Sequence, residues 1–199
     1  MELGPSGFPF EIFISSLMTY QGYSVELDQV LQGECVRHEI DIIARKEDEL
    51  ILVECKYHNL PGIHCDVKIP LYIKARFMDI VTHKPDVLPG GKLSAGWIVT
   101  NTGFTEDAKT YGTCAGLYLL GWNYPPEHSL KNLIDASGIY PITCLTTLTV
   151  TEKRRLLANK VVLCRQVLEH PQYLFESGIR EPRLNRILAE AQTLLTLQD

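Results

Sequence analysis

Two acids and a lysine stand close together in HEIDIIARKEDELILVECKYH, residues 38–58. Asp41 lies in the first half, and Glu54 and Lys56 lie in the second. If Glu47-Asp48 is the centre of a turn, Lys46 faces Glu49. That register sets Asp41 opposite Glu54, and Glu39 opposite Lys56. Residues opposed on neighbouring strands point to the same side of a sheet. One face then carries Ile40, Ile42, Ala44, Ile51, Val53 and Cys55, and this apolar face is expected to be buried against helices. The other carries Ile43 and Leu52 near the turn, then Asp41, Glu54, Lys56 and Glu39 at the far end. Like charges directly opposite destabilise a sheet by roughly 0.2–1 kcal/mol. A divalent cation offsets that cost. Hard oxygen ligands suit Mg²⁺, which needs only one or two carboxylates, and Mn²⁺ is its expected substitute. Lys56, beside the cation, can orient a water or stabilise negative charge on a phosphate. The plainer alternative is a solvent-facing hairpin with a Glu39–Lys56 ion pair.

Other reactive side chains point less clearly. The six cysteines, Cys35, Cys55, Cys65, Cys114, Cys144 and Cys164, form no CxxC and are widely spaced. Cys55, His58, His64 and Cys65 are near one another, but their spacing matches no usual zinc pattern. These thiols read as buried or incidental. His58, close to the acidic site, is a candidate proton donor, with a structural role favoured.

The acids and the lysine need strands beneath them and helices around them. Phe8–Tyr20 has apolar residues at helical spacing and ends at Gln21-Gly22. Residues 23–32 alternate like a strand. His38–Arg45 and Leu50–Tyr57 should form an antiparallel hairpin across Lys46–Glu49. Val67–Val81 reads as a helix with Pro70 near its start, where proline is tolerated. Pro85–Gly91 reads as a loop, and Ala95–Thr100 as a short buried strand. Thr105 should cap a helix running to about Cys114, with Glu106 and Asp107 suiting its N-terminal end. Leu117–Trp122 reads as another buried strand. Beyond Pro125-Pro126 the pattern is helical, with Leu156, Leu157, Val161, Val162, Leu163, Val167 and Leu168 as its apolar positions, cut into short pieces by Pro171, Gly178 and Pro182. No internal repeat is apparent.

Charge divides the chain. Residues 1–151 hold 11 Lys+Arg against 18 Asp+Glu, whereas residues 152–199 hold 8 against 6. All eight basic residues of the second part fall between Lys153 and Arg186. A polyanionic partner would therefore meet the second part more readily. No apolar stretch reaches the roughly 18 residues of a membrane helix. MELGPSGFPF lacks the basic and apolar regions of a signal peptide. The expectation is a soluble, cytoplasmic protein.

The Asp41 strand followed by Glu54-Cys55-Lys56 resembles the PD-(D/E)XK nucleases and, more narrowly, the Mrr-like restriction endonucleases. FPFEIFISSLMTYQGYSV is similar to that family's first helix and the strand that follows it, with Glu11 at an acidic position facing the site. HEIDIIA is similar to the strand bearing the metal-binding aspartate, and WIVTNTGFTEDAKTYGTCAGLYLLGW to the closing strand–helix–strand. The likeness covers roughly residues 8 to 122. Ile40 replaces the usual proline before Asp41. Where the family commonly has a glutamine after the Glu-x-Lys strand, this chain offers Lys68, Tyr72, Lys74 and Arg76. LFESGIREPRLNRILAEAQTLL resembles half of a helix-hairpin-helix DNA-binding unit, with a Gly178-Ile179 turn.

The resemblance implies an α/β fold: a restriction-endonuclease-like mixed sheet flanked by helices over residues 1–124, and an α-helical C-terminal subdomain over 125–199. It implies Mg²⁺-dependent hydrolysis of DNA phosphodiester bonds. Asp41, Glu54 and the Cys55 carbonyl would hold the metal, and Lys56 and Glu11 would complete the catalytic set. Lys68, Lys74, Arg76, Arg180, Arg183 and Arg186 are the candidate DNA contacts. A branched DNA or RNA substrate, or a non-catalytic binding or assembly module, are the alternatives. A homodimer and an upstream or separate partner domain are both compatible with the chain.

Overall fold

In a computed structural model, residue 3 and residues 7–60, 62–83 and 93–196 are described. The expected loop at Pro85–Gly91 lies outside the described residues, as does Pro61. The central hairpin forms in the register the sequence predicts. Strand β2 (Arg37–Lys46) runs antiparallel to β3 (Glu49–Lys56), with pairs from Lys46↔Glu49 to Ile42↔Val53. Glu47 makes the turn with φ of 51°. β1 (Ser24–Gln32) lies antiparallel on the other side of β2. That ladder runs from Ser24↔Arg45 to Gln32↔Arg37 but skips Asp28, whose φ is 52° and which would face Asp41. Both ladders of β2 are therefore interrupted at Asp41.

The sheet continues in parallel. β5 (Leu93–Thr100) pairs with β3, and β7 (Leu117–Leu120) pairs with β5, giving the order β1-β2-β3-β5-β7. Parallel neighbours need crossover connections. Helix α2 (Lys68–His83) supplies the first and α3 (Glu106–Cys114) the second. Thr105 caps α3 by accepting the Ala108 amide hydrogen, as its sequence predicts. Two pieces were not legible: β4 (His64–Cys65) and β6 (Gly103–Phe104), which pair with each other as a small second sheet. At two residues each, they are too short to carry a period.

The sequence assigns burial to one face of the hairpin, whereas the structure buries both along β3. Leu50 to Cys55 are all buried. Ile43, Leu50, Leu52, Ile98, Leu117 and Leu119 share one core with Ile73, Phe77 and Ile80 of α2 and Ala108 of α3. This is the face that also carries the acids. Its apolar part lies beneath the crossover helices, as in any strand at the centre of a parallel region. A Cβ on Gly96 would stand 2.4 Å from the Phe77 ring, so glycine lets α2 approach β5. Asp79 of α2 accepts the Cys35 and Val36 amide hydrogens and lies 2.7 Å from His38 Nε2, which fastens the β1–β2 connection to that helix.

Residues 18–133 make one compact unit; residues 1–17 and 134–199 make another. Helix α1 (Phe8–Tyr20) spans the residues expected of it. The second unit holds the short helices: the end of α4 (Leu130–Ser137), a 3-10 turn at Ile142–Cys144, α5 (Val150–Ala158), α6 (Cys164–Glu169), α7 (Gln172–Glu176) and α8 (Arg183–Thr196). Leu156, Leu157, Val161, Val162 and Val167 are buried as expected. Thr149 and Glu152 form a capping box at the start of α5. Helices α5 and α7 end alike: Val161 N–H donates to the Leu156 carbonyl and Ile179 N–H to the Leu174 carbonyl. Lys160 and Gly178 take the left-handed conformation at those two ends.

Candidate functional site

The site is built where the β2–β3 ladder stops. Just beyond the last β2–β3 pair, Ile42↔Val53, the Cys55 amide hydrogen is donated to Asp41 Oδ2 at 2.6 Å. Glu54 is 3% exposed, which rules out the solvent-facing hairpin. Two cations hold it. Lys56 Nζ lies 2.5 Å from Oε1, and Arg76 Nη1 lies 2.7 Å from Oε2. The alternative Glu39–Lys56 pair does not form. Lys56 turns to Glu54 instead, and the Glu39 carbonyl accepts from Arg76 Nη2. The Arg76 guanidinium also sits 5.3 Å from the Tyr72 ring centre.

Charge and burial oppose each other here. Burial, and then the charge of Glu54, push the Asp41 carboxyl up to about 6, against the lowering effects of the Cys55 amide, Lys56 and Arg76. For Lys56, burial favours the neutral amine, but the charge and hydrogen bond of Glu54, with the charge of Asp41, hold the ammonium above its ordinary range. A protonated lysine therefore stands beside two acids, one of which resists ionisation.

Asp41 and Glu54 fit a hard divalent cation. They are oxygen donors near enough for the charge of Glu54 to raise the Asp41 carboxyl, whose ionised form is under-compensated. They do not fit a structural zinc centre. Among the described residues, no group of three or more His, Cys, Asp or Glu side chains could hold a metal ion. His58 Nε2 does lie 3.4 Å from Cys65 Sγ. Burial first, then the charges of Lys56 and His64, lower the His58 pKa. Its backbone is held by Asn101, which accepts the His58 amide hydrogen at 2.8 Å and donates to its carbonyl at 2.9 Å.

Glu11 lies in the first turn of α1, in the other compact unit. Lys68 is exposed at the start of α2, and Lys74 is half-buried. Arg76 reaches the acids directly, a pairing that was not evident from the sequence. Its place in the row Ile73, Arg76, Phe77 and Ile80, spaced i, i+3, i+4 and i+7, was the available signal, since those positions share the helix face turned to the sheet. Arg180 and Arg186 are exposed. Arg180 donates to the Phe175 carbonyl and lies over its ring. Arg183 grips Glu152 with both nitrogens, at 2.7 and 2.9 Å.

Comparison with known proteins gives two family matches. Residues 5–120 match the restriction endonuclease family of the Mrr catalytic type, and residues 140–195 match the family described as AF1548-like, C-terminal. An uncharacterized protein of Archaeoglobus fulgidus is 32% identical over 183 residues, covering 92% of this chain and 99% of its own. The crystal structure of a protein of unknown function, AF1548, has a TM-score of 0.76 and 31% identity, covering 96% of this chain and 98% of that one. No described helix is long and apolar enough to cross a membrane.

Proposed function

The chain belongs to the Mrr-like restriction endonuclease family, and on that footing we propose that it is a metal-dependent endodeoxyribonuclease. The observation that carries this is the meeting of Asp41, Glu54 and Lys56 at the interrupted end of the β2–β3 ladder. In this reading Asp41, Glu54 and the Cys55 carbonyl hold Mg²⁺, or Mn²⁺ in its place. The cation supplies an activated water and a counter-charge for the phosphate. The Cys55 amide fixes the Asp41 carboxylate. Lys56, kept protonated by the acids, is aimed at negative charge developing on a phosphodiester.

Residues 1–124 are proposed as the nuclease core and residues 125–199 as a helical subdomain with its own DNA contacts. Lys68 and Lys74 would meet phosphates near the acids, and Arg180 and Arg186 would meet them on the subdomain, whereas Arg76 is engaged by Glu54 and the Glu39 carbonyl and Arg183 by Glu152. A cytoplasmic location accords with DNA as the substrate.

The test is a cleavage assay on supercoiled, linear, single-stranded and branched DNA with Mg²⁺ or Mn²⁺, against Asp41→Asn. Nicking or linearisation by the wild type alone is expected. Equal products from both proteins, or no cleavage of any form, overturns the reading.

A further inference from the structure

Arg76 is a second cation on an acid that already has one. Lys56 holds Glu54 Oε1, and Arg76 holds Oε2, so each carboxylate oxygen has its own positive partner. The Arg76 side chain is only 11% exposed. The Glu39 carbonyl and the Tyr72 ring hold it in place. The ionised cluster is then two acids facing two fixed cations, with no net charge. A divalent cation taken up by Asp41 and Glu54 alone would leave that cluster with two surplus positive charges in a poorly solvated place. Such repulsion is strong at a few ångströms. An incoming phosphate, negatively charged, removes part of the surplus.

We propose that Arg76 is a counter-cation on Glu54 that keeps the divalent cation weakly held until a DNA phosphate is present, so that metal and DNA are taken up together. This rests on the reading of Asp41 and Glu54 as the metal carboxylates. A role confined to holding the fold makes the opposite forecast, because removing a structural ion pair would loosen the site and weaken metal binding.

The experiment is calorimetric titration of the full chain with MnCl₂, with and without a short phosphorothioate duplex. Wild type, Arg76→Gln, Arg76→Met and Asp41→Asn are compared, and melting curves establish that each is folded. Arg76→Gln retains hydrogen bonding to Glu54 without the charge, so it guards against a failure of Arg76→Met to fold. Without DNA, the Arg76 variants should bind Mn²⁺ about tenfold or more tightly than wild type. DNA should tighten Mn²⁺ binding by wild type far more than by the variants, because coupling between two ligands is reciprocal. Equal or weaker Mn²⁺ binding by folded Arg76→Gln, with binding still abolished in Asp41→Asn, overturns this inference alone. Absence of Mn²⁺ binding by wild type with and without DNA overturns the metal reading and this inference together.

Discussion

The Asp41 carboxylate accepts the amide hydrogen of Cys55 at 2.6 Å, just beyond the last backbone pair of β2 and β3. A side chain has taken the place of the ladder. One oxygen of Asp41 is thereby fixed against the strand that bears Glu54, while the Glu54 carboxylate is held by Lys56 and Arg76. The charge of Glu54 opposes ionisation of Asp41, and the charges of Lys56 and Arg76 favour it.

Replacing Asp41 should remove divalent-cation binding. Titration of Asp41→Ala or Asp41→Asn with Mn²⁺ is expected to give no site-specific heat where wild type gives one. Matching isotherms would return Asp41 to a structural role as acceptor for Cys55.

Lys56→Ala should lose cleavage by on the order of 10²–10³-fold while keeping its fold, since this is the size of effect for one group stabilising transition-state charge. Lys56 is the last residue of β3, and its ammonium reaches Glu54 rather than the core. Circular dichroism and DNA affinity should stay near wild type. Cleavage at the wild-type rate would leave Lys56 as no more than a partner for Glu54.

The raised Asp41 carboxyl predicts a pH dependence of stability. In the folded chain it titrates at about 6, against 3.8 for the free side chain. The folded form thus binds the proton more tightly than the unfolded one. Stability contributed by Asp41 is full at low pH, falls as pH rises between those two values, and levels off above about 6. The loss is at most about 3 kcal/mol, taking roughly 1.36 kcal/mol per pKa unit. In chelator, Asp41→Asn should melt at a higher temperature than wild type near neutral pH, and the gap should close toward pH 4. A gap independent of pH would mean that Asp41 ionises in the folded chain as it does in the unfolded one.

On the helical subdomain, the arginines should separate by role. Arg183 has its fork on Glu152, and its hydrogen bond is the first cause holding that carboxyl well below the usual range, at about 2. Arg183→Ala should lower the melting temperature by a few degrees, because it removes support from the α5 cap. The exposed Arg180 and Arg186 are the better probes of DNA binding. Arg180→Ala/Arg186→Ala should weaken DNA binding and reduce the salt slope by about 0.9 for each phosphate no longer neutralised. An unchanged slope would move the phosphate surface to Lys68 and Lys74.

The hairpin and its register from Lys46↔Glu49 to Ile42↔Val53 were legible in the chain alone, whereas the opposed pairs expected beyond it, Asp41 with Glu54 and Glu39 with Lys56, are not among the ladder pairs. The hairpin and that register follow from short-range rules. A polar turn at Lys46–Glu49 and a side-chain period of two leave one register that keeps Ile42, Ala44, Ile51 and Val53 on one face. The Thr105 cap and the extent of α1 were legible for the same reason, since each depends on neighbours within a turn of helix. The partners of the charged groups were settled by packing. Lys56 could have paired with Glu39 across the strands, yet Arg76, 22 residues beyond Glu54, took the Glu39 carbonyl and half of the Glu54 carboxylate. Nothing periodic in the chain encodes which cation reaches a buried acid. It depends on how close α2 can come to the sheet, and that is set by Phe77 seated on Gly96 of β5. The interruption of both β2 ladders at Asp41 belongs to the same class. It coincides with the positive φ of Asp28 in β1 and with the hydrogen bond from the Cys55 amide of β3 to Asp41, and both involve strands that meet only in the folded sheet.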